Sequence, residues 1–169
     1  MRLALPLLLE LSLGVAAGVL GTVLAGQIAD ASAAAFALSM QFFHTAFLLF
    51  RIVGAGISVV LSQQLGYNNP IAAETAARTA LLASFVMGLI AAAVLWFGSD
   101  RLLLHFEVPE EVRLQAKPLM LWLAPCVLLD ALVVAMASVM RAHLFAAQSL
   151  RVMMLMHLCH WGLAWLLMS

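Results

Sequence analysis

The sequence predicts an all-α protein, a polytopic transmembrane helical bundle with about five spans. Of its 169 residues, 66% are apolar and 9% are charged, whereas soluble domains contain about 25% charged residues. The apolar residues form continuous runs and lack the alternating pattern of a membrane β-barrel. Because a helix needs roughly 20 apolar residues to cross a hydrocarbon core of about 30 Å, the chain has room for five spans joined by short connections.

The first two predicted spans cover about residues 3–25 and 34–65. The first has small residues at three- and four-residue spacing, which predicts a face for close packing against another helix. Its glycines are Gly14, Gly18 and Gly21. The second span is long enough to tilt or to project beyond the bilayer. It ends at GYNNP (66–70), where a glycine, two asparagines and a proline stop the helix.

The remaining predicted spans cover about residues 76–97, 119–140 and 152–168. The connection between the third and fourth spans is the longest and carries several charges. Its apolar residues around 102–106 predict a short helix that lies in the membrane interface. Pro125 predicts a kink in the fourth span. The chain stops directly after the fifth span, which we interpret as the end of a partial product.

The distribution of charge excludes one class of partner and favours one orientation. Eight basic and eight acidic residues give a net charge of zero, and their scatter leaves no basic surface for nucleic acid. Four arginines fall on the predicted side of the N-terminus and three basic residues on the other. This small excess predicts a cytoplasmic N-terminus in the inner (plasma) membrane.

Polar side chains inside the apolar spans are the candidate functional residues, because a charge at the bilayer centre costs about 2.5–3.5 kcal/mol. Arg51 and Asp130 fall near the middle of the second and fourth spans, at similar depth and with opposite charge. They are predicted to form a buried pair or to line a water-filled cavity. Glu10, Gln41 and His44 either line an aqueous path or form hydrogen bonds between helices.

The fifth span contains MMLMHLCH, in which His157 and His160 share one helical face. Imidazole, thioether and thiol groups are ligands that Cu(I) prefers. Methionine is also a common packing residue, and no second ligand cluster occurs, so we predict no metal and no cofactor. The patterns GxSxG, HExxH, CxxCH and the P-loop are missing from the sequence, which does not favour an enzyme.

Three segments resemble parts of the multidrug and toxic compound extrusion (MATE) family of transporters. GTVLAGQIADASAAAFALS (21–39) is similar to the end of the family's helix 1 and the start of helix 2. GAGISVVLSQQLGYNNPIAAE (54–74) resembles the helix 2 ending G-x-G-x-x-x-x-x-[SA]-Q-x-x-G-A-x-[ND], the most specific of the three. ASVMRAHLFAAQSLRVMMLMHLCH (137–160) is similar to the connection between helices 4 and 5, which begins at an arginine matched by Arg141.

The resemblance implies a fold and a function. The family has twelve helices in two six-helix lobes and exports organic cations or other amphipathic compounds in exchange for H⁺ or Na⁺. This chain would supply helices 1 to 5 of the first lobe, with the lipid bilayer, a small substrate, the coupling ion and the missing C-terminal helices as its partners. The alternative is a non-transporting membrane subunit or assembly partner, which a natural stop codon after the fifth span would favour.

The chain departs from the family pattern at several positions. Gly21 stands where the family's V-D-T-x-x-A-G motif has an aspartate. His160 and Ala164 occupy the two helix 5 positions that commonly carry asparagine and either aspartate or asparagine. Leu144 and Ser149 replace the usual glycine and proline in the connection between helices 4 and 5. The family's coupling site therefore does not carry over directly.

These departures leave other groups to carry a proton. Glycine at position 21 has no side chain to titrate, so His160, His157, Asp130 and Glu10 are the candidates in this segment. Imidazole has an unperturbed pKa of about 6.5 and can both donate and accept a proton. We therefore favour His160 as the carrier, with a purely structural hydrogen bond as its alternative role.

Overall fold

The structure, a computed structural model, describes residues 4–145, 147–155 and 158. Four helices run as α1 (Ala4–Gly26), α2 (Asp30–Gly66), α3 (Pro70–His105) and α4 (Glu110–Ala142). A further helix, α5, covers 147–155. Every regular element in these ranges is a helix, so the predicted all-α fold class is confirmed.

Among the residues that the structure describes, three helices are long and apolar enough to cross a membrane: α2, α3 and α4. They contain 37, 36 and 33 residues, which at about 1.5 Å per residue gives lengths of about 50–55 Å. A hydrocarbon core is only about 30 Å thick. The ends of these helices therefore extend well past the apolar layer, or the helices tilt.

The prediction of a short interfacial helix after the third span is wrong. In the structure α3 continues to His105, and the connection to α4 is the short segment 106–109. Leu103, expected at the interface, is fully buried in the core. The Nζ atom of Lys117 lies 2.6 Å from the Oδ2 atom of Asp100 and ties α4 to α3. The charges in this region thus mark the projecting ends of two long helices.

The helices also extend past the other predicted bounds. α4 begins at Glu110 and continues through Pro118 and Pro125, whereas the fourth span was predicted from about residue 119. α5 includes 147–151, before the predicted start of the fifth span at about residue 152. The remainder of the predicted fifth span lies largely outside the described residues. Hydropathy defines the part of a helix inside the apolar layer, and helical structure continues beyond that part.

The central helix of the described bundle is α4, which packs against both α2 and α3. Glycines on the two neighbours permit this close approach. A Cβ atom added to Gly54 of α2 would lie 2.6 Å from Ser138 Oγ, and one added to Gly88 of α3 would lie 2.8 Å from Ala131 Cβ. Of the helices α2, α3 and α4, only α2 packs against α1. The main buried core therefore forms around α4, and includes Phe50, Leu95, Leu103, Met120, Val127, Ala131 and Val134.

Three helices end in a residue with left-handed backbone conformation that is not glycine. These residues are Asn68, Glu107 and Leu144, with φ of 54°, 50° and 64°. In each case the next N–H donates to a carbonyl five residues earlier, as in a Schellman motif. The bonds are Asn69 to Gln64 at 3.1 Å, Val108 to Leu103 at 3.3 Å and Phe145 to Met140 at 2.9 Å. The resulting tight reversals make consecutive helices antiparallel, so α2 and α4 end on the same side of the bundle.

Candidate functional site

The predicted pair Arg51 and Asp130 lies at the contact between α2 and α4. Each residue is within about one turn of the middle of its helix, and each is half-buried. Gly54, one turn after Arg51, faces Val134, one turn after Asp130, with 3.1 Å between a Cβ atom added to Gly54 and Val134 Cγ1, so the two charged residues lie at the same level of the facing helices. In the described part of the chain, however, the ion pairs closer than 4.0 Å join other residues. The side chains are therefore neighbours with opposite charge that are not in direct contact.

The carboxyl group of Asp130 is incompletely satisfied. Its Oδ2 atom is closed off from solvent and has no hydrogen-bond partner within the described ranges. A buried polar atom without a partner is uncommon and requires a specific explanation. An oxygen in this state is available to a proton or to the side chain of Arg51.

The guanidinium of Arg51 lies against an aromatic ring. Its Cζ atom is 5.4 Å from the centroid of the Phe47 ring, within the range of a cation–π interaction. Phe47 precedes Arg51 by four residues, so the two share a face of α2. Phe47 was not among the residues predicted from the sequence, although the four-residue spacing between a charged residue and an aromatic ring is a signal that could have indicated it.

Tight packing holds the two helices together beyond this pair, at Gly54, one turn after Arg51, and at Ser138, two turns after Asp130. Gly54 faces Ser138, which is fully buried. The Ser138 hydroxyl donates to the carbonyl oxygen of Val134 at 2.7 Å and accepts from a guanidinium nitrogen of Arg141 at 2.8 Å. The backbones of α2 and α4 are thus fixed close together, which leaves side-chain rotation as the available motion near Arg51 and Asp130.

The helix 1 position that carries aspartate in the resembling family is closed in this structure. A Cβ atom on Gly21 would lie 2.7 Å from the Cε1 atom of the Phe36 ring. Real Cβ contacts do not approach this closely, so a larger residue at position 21 requires Phe36 to move. The ring of Phe36 therefore occupies the space into which a helix 1 carboxylate would extend.

The other residues predicted from the sequence lie apart from Arg51 and Asp130, or their side chains are outside the described part of the structure. His44 packs toward α1, where its Cε1 atom would lie 3.5 Å from a Cβ atom on Gly18. Gln41 is exposed. The side chain of Glu10 is outside the described part of the structure, as are His157 and His160. The structure therefore brings together Arg51 and Asp130, with Phe47 as an additional member.

The comparisons with known proteins identify the family. The sequence model of the family described as MatE matches residues 6–166, which is nearly the whole chain. The chain belongs to the MatE family. Members of this family are transporters rather than enzymes, and three long apolar helices support a multi-pass membrane protein.

A curated relative of this MatE chain is described as "Uncharacterized transporter YisQ" from Bacillus subtilis (strain 168). It is 25% identical over 138 residues, which cover 82% of this chain and 30% of the relative. The chain thus spans about a third of the length of this relative. No solved structure matches the chain.

Proposed function

We propose that this chain forms the N-terminal five-helix part, over residues 1–169, of a MATE-type exporter. The exporter removes small amphipathic or cationic compounds from the cytoplasm in exchange for H⁺ or Na⁺. It lies in the inner (plasma) membrane with a cytoplasmic N-terminus. The observation that carries the proposal is the family match over residues 6–166 on a bundle of long apolar helices. The description of the relative as a transporter agrees with it.

Transport needs more helices than those of this chain. Alternating access in such transporters is a movement of one helical bundle against another around a shared site. Many large apolar side chains on the described helices are exposed, including Val15, Leu48, Phe97 and Trp122. Surfaces of this kind are covered by lipid or by further helices. We propose the remaining helices of the same transporter as partners, together with the lipid bilayer.

We propose that Arg51 and Asp130 belong to the transport pathway. A charged side chain inside a spanning segment is rare, and it usually faces a partner or a water-filled path. Asp130 Oδ2 has no hydrogen-bond partner among the described residues, as expected of a group that exchanges its ligand. Glu10, Gln41, His44, His157 and His160 remain candidate pathway residues.

Transport by the full-length protein to which this segment is proposed to belong tests the proposal. Proteoliposomes containing it should accumulate ethidium or norfloxacin when a pH or Na⁺ gradient is imposed, and should lose this uptake when the gradient is collapsed. The 169-residue chain alone is the matched control and should not transport. Uptake that does not depend on the pH gradient or on the Na⁺ gradient would exclude antiport. A reading frame that stops at residue 169 would instead support the non-transporting subunit.

A further inference from the structure

The half-buried cation of Arg51 lies over the Phe47 ring, with 5.4 Å between Cζ and the ring centroid. Asp130 lies at the same level of the facing helix, since Gly54, one turn after Arg51, faces Val134, one turn after Asp130. We propose that Asp130 is a proton-binding site and that Arg51 is its movable counter-ion. The guanidinium rests on Phe47 while Asp130 carries a proton, and pairs with Asp130 when the proton leaves. This inference rests on the proposed exchange transport and assigns its H⁺ to a residue.

The surroundings of Asp130 Oδ2 select the proton as its ligand. The atom has no exposed surface and no hydrogen-bond donor in the part of the chain that the structure describes, so a bulky ligand does not fit against it. A metal cation requires several oxygen ligands. No group of three or more His, Cys, Asp or Glu side chains comes together as a metal site among the described residues. A proton needs one oxygen and no added space.

The movement of Arg51 requires no change in the helices. Gly54, one turn from Arg51, and Ser138, two turns from Asp130, hold α2 against α4. The distance from Arg51 to Asp130 therefore depends on the rotamers of the two side chains. A cation–π contact is stronger when it is shielded from water, and a buried ion pair gains little net free energy because both charges lose their hydration. Neither position of the guanidinium therefore dominates by a wide margin, and the charge of Asp130 can decide between them.

Few other charged groups face Asp130. On α2, Asp30 is the first residue of the helix and His44 is directed to Gly18 of α1, which leaves Arg51. On α3, the segment 79–99 contains no charged or titratable side chain. On α4 itself, the thiol of Cys126 donates to the carbonyl of Trp122 at 3.5 Å.

Farther along α4, the guanidinium of Arg141 donates to Ser138. Among the described charged groups, Arg51 is the one that lies at the level of Asp130 on the facing helix. Proton exchange at this site is therefore controlled by the position of Arg51.

The exchange is balanced in charge and protons. A proton from the aqueous phase forms an O–H bond on the Asp130 carboxylate, which becomes neutral and releases the guanidinium. Loss of that proton to the aqueous phase on the other side restores the carboxylate, which then pairs with the guanidinium. The net charge of the two residues thus alternates between one positive charge and zero.

Infrared spectroscopy of the purified full-length transporter tests this switch, because the carbonyl band of a protonated carboxyl is separate from that of a carboxylate. The band lost in Asp130→Asn identifies the residue. In Arg51→Gln the ratio of protonated to ionised Asp130 should rise about tenfold, since the ionised form loses its counter-ion. In Phe47→Leu the ratio should fall about two- to fivefold, since the released guanidinium loses its resting place.

The matched control is Phe43→Leu, which removes a half-buried ring from the same helix, four residues before Phe47. It should leave the ratio unchanged. Equal effects of the Phe43 and Phe47 variants, or shifts of Arg51→Gln and Phe47→Leu in the same direction, would overturn the switch. If Arg51→Gln does not fold, Arg51→Lys keeps the charge and should retain a wild-type ratio within a factor of about two.

Transport measured on the same preparations separates this inference from the proposed function. Gradient-driven uptake that persists in Asp130→Asn would leave the exporter intact and refute Asp130 as its proton site. Opposite shifts in the two infrared ratios, without uptake under any gradient, would support the switch and contradict antiport.

Discussion

Replacing Gly54 by alanine tests the contact that holds α2 against α4 beside Arg51 and Asp130. The added Cβ atom would lie 2.6 Å from Ser138 Oγ and 3.1 Å from Val134 Cγ1. Overpacking of this kind typically costs 1–3 kcal/mol. Alanine also favours a helix over glycine by about 1 kcal/mol, which partly conceals the cost of overpacking in the single variant.

Gly56→Ala is the matched control, because a Cβ atom at this position meets nothing within 4 Å. Both glycines lie in the interior of α2, so the gain in helix propensity is common to the two variants and cancels in their difference. We expect Gly54→Ala to be less stable than Gly56→Ala by about 1–3 kcal/mol. Unfolding of the purified protein in mixed micelles with increasing SDS, followed by tryptophan fluorescence, measures this difference.

A double variant tests whether contact with Ser138 causes the loss of stability in Gly54→Ala. Ser138→Ala removes the oxygen that a Cβ atom on Gly54 would meet, so Gly54→Ala with Ser138→Ala should recover about 0.5–2 kcal/mol relative to the sum of the single effects. Equal stability of Gly54→Ala and Gly56→Ala would refute the close contact. Additive single effects would show that Ser138 is not the group that resists the added methyl.

Other substitutions test the turns, the first helix and the topology. Leu144→Gly should stabilise the protein by about 1 kcal/mol, because Leu144 adopts φ of 64°. Asn68→Gly should stabilise it by only about a few tenths of a kcal/mol, because asparagine tolerates this conformation. Equal gains of stability in SDS unfolding would contradict backbone strain at Leu144. Gly21→Asp should destabilise through contact with the Phe36 ring, and Phe36→Ala in the double variant should restore part of the loss in the same assay; no rescue would exclude Phe36 as the obstacle. Cysteines at Asn68 and Glu110 should react with an impermeant reagent from opposite sides of the membrane, and labelling from one side would contradict the alternating spans.

The sequence alone determined the class of the protein, because the free energy of placing a residue in a bilayer is largely a property of that residue. Long apolar runs indicated membrane-spanning helices, and the GYNNP segment marked the break between α2 and α3. The cost of a charge in the apolar layer also distinguished Arg51 and Asp130 from the apolar background. The segments 21–39 and 54–74 carried the resemblance to the family that the comparison then showed.

Local patterns were insufficient where a charge lies at the end of a long helix. The charges at Asp100 and Lys117 predicted a loop with an interfacial helix, whereas their ion pair joins two continuous helices. Hydropathy along the chain does not show which charged residues meet across the bundle. The prediction therefore ended α3 too early.

Only the tertiary structure decided which side chains meet. Phe36 fills the space beside Gly21. Arg51 lies over Phe47 and makes no direct ion pair with Asp130. Both arrangements depend on the crossing and rotation of helices far apart in sequence. These are set by the sum of many packing contacts, such as Gly54 with Ser138, and no single residue specifies them. Residue type thus predicts which groups are unusual in a membrane, while helix packing decides what each of them can reach.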